Sequence, residues 1–99
     1  MYARIRTLEG PPELMDESLR LAREVVLPQG RLIEGFKGMI ALGDRHSGRT
    51  VGITFWETEE AMRVSEEAAN RLREESAQAG GDTIASVERY EVGFLEVES

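Results

Sequence analysis

Glycine and proline cut this chain into six segments, and the order of those segments constrains the fold more than any other feature. Tyr2 to Leu8 alternates around Ala3, Ile5 and Thr7, which predicts a strand. Gly10, Pro11 and Pro12 stop it, and proline suits a first helical turn. Leu14, Met15, Leu19, Ala22, Val25 and Val26 then recur at three- and four-residue spacing, the face of a helix. Glu13, Asp16 and Glu17 lie near the positive end of its dipole, and Pro28 and Gly30 end or bend it. A second strand is predicted from Phe36 to Arg45 and a third from Thr50 to Glu57. The polar turn His46-Ser47-Gly48-Arg49 between them makes an antiparallel hairpin, with Gly48 free to take a positive φ. Thr58 is placed to cap a second helix, with Glu59 and Glu60 in its first turn. That helix buries Ala61, Met62, Ser65, Ala69, Leu72 and Ser76 along one stripe and ends at Gly80 and Gly81. Its outer face pairs Glu59 with Arg63 and Glu67 with Arg71, a solvated surface worth a few tenths of a kcal/mol per pair. The last strand spans about Ser86 to Val97.

Strand, helix, strand, strand, helix, strand is the ferredoxin-like βαββαβ pattern, an α+β fold with two helices on one face of a four-stranded antiparallel sheet. At 99 residues the chain forms a single domain, 1–99, with one core. A net charge of −7 and scattered arginines argue against nucleic acid and anionic membrane as partners. Cysteine is absent, so there is no disulfide, thiolate nucleophile or cysteine–zinc site. The single histidine, His46, rules out a multi-histidine metal site within one chain. The N-terminal ten residues carry Arg4, Arg6 and Glu9 and no signal-peptide run, and no segment has the length of a membrane span. The expectation is a soluble, cytoplasmic protein.

Two helices cover only one face of such a sheet. Ile5, Val51, Ile53 and Phe55 are the expected helix-covered set. The other face then holds Ile40, Leu42, Trp56, Tyr90, Val92 and Phe94, too apolar to face water. A second copy of the same sheet across a two-fold axis is the simplest cover, so a homodimer is expected.

On these grounds the chain resembles the antibiotic-biosynthesis-monooxygenase type of dimeric α+β barrel. The resemblance spans nearly the whole chain. It rests on the segment order, on Gly35-Phe36-Lys37-Gly38-Met39 entering the second strand, and on Ile53-Thr54-Phe55-Trp56-Glu57-Thr58-Glu59-Glu60-Ala61 running from the third strand into the second helix. It implies a pocket between helices and sheet and, in some members, oxidation of aromatic polyketides by dioxygen without a cofactor. Other members degrade haem using an Asn on the first strand and an iron-ligating His on the second helix. This chain has neither there, so haem is disfavoured.

Cofactor-free oxidation asks a site to bind an acidic phenol, favour its anion and exclude water, with a donor near the developing oxyanion. Trp56 is the leading candidate by chemistry, although a large ring at that point equally anchors packing. Asn70, on the second helix, is the other catalytic candidate and faces either pocket or solvent. Arg4, Arg6 and Arg89 are placed to line a cavity or to pair at the surface, while Tyr2 and Tyr90 fit an interface or core edge. Met15, Met39 and Met62 offer an adaptable apolar lining or plain core. His46 is expected to be solvated. No cofactor or metal site is expected. Two readings share these residues: a small monooxygenase of an aromatic or quinone-like molecule, and a non-catalytic dimeric ligand-binding or accessory module.

Overall fold

The computed structural model describes residues 1–66 and 83–98. Strand β1 (Tyr2–Glu9) leads through a 3-10 turn at Pro12–Leu14 into α1 (Met15–Leu21). A π-helical stretch, Ala22–Val26, and α2 (Leu27–Gly30) follow, and the αR backbone at each junction makes the three one continuous rod. Strands β2 (Phe36–Gly43) and β3 (Thr50–Trp56) come next, then α3 (Glu59–Val64) and β4 (Thr83–Glu91). The sheet order is β2-β3-β1-β4, antiparallel at every pairing. This is the expected ferredoxin-like α+β arrangement, with the helices on one face.

Local chemistry explains the boundaries. Thr58 caps α3, its hydroxyl accepting from the Ala61 amide at 3.0 Å. Gly48 sits at φ 81 in the hairpin turn, as its position predicts. Pro28 does not end the helix. It lacks the N–H that would bond back one α-turn, and the wider π turn before it absorbs the mismatch. The last strand begins and stops earlier than expected. Its ladder ends at Glu91, and Val92 donates its amide to the Met1 carbonyl at 2.9 Å, leaving Phe94 and Val97 outside the sheet. The second helix beyond Glu66, with Ala69, Leu72, Ser76, the Glu67–Arg71 pair, Gly80 and Gly81, lies outside the described residues.

The two sheet faces correct the expected sets. Register pairs Arg4 with Thr54, Arg6 with Gly52, Leu8 with Thr50 and Tyr2 with Trp56, so these residues share a face. Arg4 donates to a carbonyl of α3, so this is the helix-covered face. Ile5, Val51 and Ile53 lie on the opposite face with Ile40, Leu42 and Tyr90, and Trp56 does not. Phe55 is on that opposite face too, though it is buried. The slip has a physical cause. An alternating strand is usually assigned with its apolar set under the helices, but here that set forms the uncovered face, and the polar set lies beneath the helices.

Candidate functional site

The floor beneath the helices is unusual for a core. Arg4 and Arg6 retain 2% and 6% of their exposure, and Thr50 and Thr54 are buried beside them. The Arg4 guanidinium carbon lies 5.2 Å from the Trp56 ring centroid, within cation–π range. Its Nη1 donates to the Met62 carbonyl at 3.1 Å. Trp56 is 1% exposed, meets Phe36 edge-on at 5.6 Å, and donates its indole N–H to the Thr54 hydroxyl at 3.1 Å. Arg6 lies flat over Gly52, where an added Cβ would come within 2.8 Å of its guanidinium carbon. Arg89 is the cross-strand partner of Arg4 and pairs with Glu66, just beyond α3. The three arginines proposed as cavity-lining therefore share one face.

A cavity of about 610 Å³ opens between residues 33–35 and α3, and none of these floor residues lines it. Ile33, Ala61 and Val64 give it apolar walls, Glu34, Glu57 and Glu60 its acidic margin, and Ser65 a hydroxyl. Two local features hold these walls together. The Glu57 amide donates to the Gly35 carbonyl at 2.8 Å. Gly35, at φ 87, lets the loop approach so closely that a Cβ there would sit 2.5 Å from the Ala61 methyl. Ser65 is 6% exposed, and its hydroxyl lies 2.6 Å from the Ala61 carbonyl and 3.2 Å from that of Met62. The Met62 carbonyl thus accepts from both Ser65, in the cavity wall, and Arg4, beneath it. The volume suits a small organic molecule, since ligand pockets run to about 300–1,000 Å³.

Among the candidates, Trp56 stands at the end of β3 just before α3, as predicted, and is not part of the cavity's lining. Asn70 lies outside the described residues. His46 is exposed in the hairpin turn. Tyr90 is 52% exposed and donates to Glu88 at 2.7 Å, an acceptor that raises its phenol pKa. Met15 and Met62 are core, and Met39 lines a separate cavity of about 170 Å³ between the helical rod and β2. From the sequence, the small residues Ala61 and Ser65 fit either close helix packing or space for a ligand, and both line the cavity, whereas Ile33 and Glu34 carried no such expectation. The glycine before Phe36 was a usable signal for a loop held close to a helix. No group of three or more His, Asp or Glu able to hold a metal occurs among the described residues.

No protein-family model matches the chain. The uncharacterized protein Rv2557 of Mycobacterium tuberculosis is 37% identical over 95 residues, covering 96% of this chain and 42% of its own length. The chain thus spans about two-fifths of that relative. Among solved structures, the monooxygenase from the gene ActVA-Orf6 of Streptomyces coelicolor, in complex with nanaomycin D, superposes with a TM-score of 0.74 at 21% identity. That match covers 99% of this chain and 92% of the other. SnoaB from Streptomyces nogalater, a cofactor-independent oxygenase, gives 0.66 at 15% identity, covering 98% and 97%. The fold is that of the antibiotic biosynthesis monooxygenases, as the sequence resemblance implied.

Proposed function

We propose that this chain, built on the antibiotic-biosynthesis-monooxygenase fold, binds a small aromatic or quinone-like molecule between helix and sheet and oxidises it with dioxygen and no cofactor. One observation carries the reading: a cavity of about 610 Å³ opens between residues 33–35 and α3, with Ile33, Ala61 and Val64 in its walls, and α3 is itself tied to the sheet face bearing buried Arg4 and Trp56. Such a site favours a phenol as its anion, the form that gives electrons to dioxygen. The ring carbon loses its hydrogen and the phenol its proton, one oxygen atom becomes a new carbonyl on that carbon, and the other leaves with the two hydrogens as water, so the substrate itself supplies the electrons and the product is a quinone. The fold shared with a cofactor-independent oxygenase supports the same chemistry. The working unit is a homodimer, with the apolar sheet face packed on a second copy.

The test is dioxygen uptake with a dihydroxynaphthalene in the presence of a chelator and without added flavin. Uptake at least about tenfold above the uncatalysed rate is expected. Saturable binding without uptake would instead assign the chain as a non-catalytic ligand-binding module. Among the described residues no helix is long and apolar enough to cross a membrane.

A further inference from the structure

Among the described residues, the sheet face turned away from the helices carries one unpaired acid. Ile5, Ile53, Val51, Ile40 and Leu42 give that face its apolar character. Glu88 of β4 stands on it directly opposite Ile5, and Tyr90 opposite Ala3. Both are exposed, and the Tyr90 hydroxyl donates to the Glu88 carboxylate at 2.7 Å. Four strands of seven to nine residues make the face. At about 4.8 Å between strands and about 3.3 Å per residue it measures about 500 Å² per copy. Two such faces reach about 1,000 Å² before side-chain relief is counted, the size at which a specific interface begins. A second copy matches the face in size and in apolar character. Resting on the reading that a second copy covers this face, we propose that Glu88 makes the association pH-dependent, the two chains taking up protons at Glu88 as they pair, so that the dimer tightens below neutrality and loosens above it.

Covering Glu88 strips water from its carboxylate, and burial disfavours the charged form. The groups around it do not offset that loss. Across the ladder β1 offers Ile5, with Ala3 and Thr7 beside it on the same face, none of them charged. On β4 itself the neighbours on this face are Ser86 and Tyr90. The Tyr90 bond exists already in the single chain, so pairing adds nothing to it. Arg89 belongs to the other face, where it pairs with Glu66. Glu9 and Arg49 pair with one another at the far end of β1. They lie about 13 Å along the strand from Ile5, beyond a Debye length of about 8 Å at physiological salt. A two-fold axis brings up only a second set of these same groups, and so no unpaired cation. Each chain also carries a net charge of −7, and the general repulsion falls with pH as well. Salt screens that repulsion, whereas the cost of desolvating Glu88 persists in salt and disappears when the side chain is made neutral.

Sedimentation equilibrium of the full chain in about 0.5 M NaCl, between pH 7.5 and 5.5, reads the association constant. Two carboxyls are covered per dimer, so proton linkage allows up to about 100-fold per pH unit. The parent should tighten at least about tenfold across the range. Glu88→Gln keeps the shape without the charge. It should associate at pH 7.5 at least as tightly as the parent does at pH 5.5, and lose most of the pH dependence. Glu13→Gln removes an exposed acid beside the first helix and should keep the parent's slope. Circular dichroism checks that each chain is folded at each pH. A parent dimer of constant strength, or one that tightens as pH rises, would overturn this inference and leave the second copy in place. A Glu88→Gln chain with the parent's slope would also overturn it. Parent and Glu88→Gln chains that both stay monomeric at every pH would overturn both readings.

Discussion

Trp56 makes three contacts with one side chain: its face meets Arg4, its ring meets Phe36 edge-on, and its N–H meets Thr54. A buried guanidinium has lost its hydration and needs such partners. Trp56→Phe keeps an aromatic face and deletes one hydrogen bond, which should cost about 0.5–1.5 kcal/mol. Trp56→Ala also removes the ring and should cost about 3–5 kcal/mol. Urea unfolding of the two variants checks this, and equal losses would mean that the N–H rather than the ring carries the stability. A normally folded Trp56→Phe protein that binds ligand but loses about 10²-fold or more in turnover would return the oxyanion role to the indole N–H. At the start of α3, Thr58→Ala removes the bond to the Ala61 amide and should cost about 1 kcal/mol by the same measurement. It should also weaken ligand binding, since Ala61 and Thr58 both line the cavity. Residue chemistry at Thr58 was legible because a cap is a local event. The place of Ser65 in a cavity wall was not, because the cavity forms only where the 33–35 loop, far away in sequence, meets α3.

The hairpin between β2 and β3 shows how an element follows from its turn. Asp44 accepts from the His46 amide at 2.9 Å, its amide donates to the Arg49 carbonyl, and its carbonyl accepts from the Gly48 amide. The bond from His46 is the largest cause holding the Asp44 carboxyl below its ordinary value of 3.8. A lowered folded-state pKa gives stability that is present above the unfolded value and lost as pH falls through the folded one. The turn should therefore stay intact down to about pH 4 and loosen below it. Amide chemical shifts and exchange of His46 and Gly48 between pH 5 and 2 will report this. A turn that stays intact down to pH 2 would show that the Asp44 carboxylate does not hold it. The elements themselves were largely readable, since periodicity, caps and Gly48 are local signals. The edges of the first helix and last strand were not. Pro28 is tolerated because a π turn precedes it, and β4 stops where its partner β1 runs out, with Val92 bonded to the Met1 carbonyl.

At the scale of the molecule, the sheet has its apolar side outward. Ile5, Ile53 and Ile40 stand side by side across three strands, with Leu42 and Tyr90 half exposed on the same face. Alternation grouped Ile5 with Val51 and Ile53 correctly but set Ile40, Leu42 and Tyr90 on the opposite face, because alternation within a strand does not say which of its two sets shares a face with the next strand; only register does. An uncovered apolar face of this kind is unfavourable in water at roughly 25 cal/mol per Å², and stable homodimers commonly bury 2,000 Å² or more in total, as an order-of-magnitude figure. The protein should therefore scatter light at micromolar concentration as twice its 11.1 kDa chain mass. Ile53 lies between Ile5 and Ile40 at the centre of that face, so Ile53→Asp places a charge where the second sheet should sit. A buried, unpaired carboxylate costs several kcal/mol, enough to dissociate the pair. The variant should run at the monomer mass and unfold at a lower, concentration-independent temperature, whereas the melting temperature of the parent protein rises with concentration. A parent chain of monomer mass, or an Ile53→Asp chain that remains dimeric, would show that something other than a second sheet covers this face.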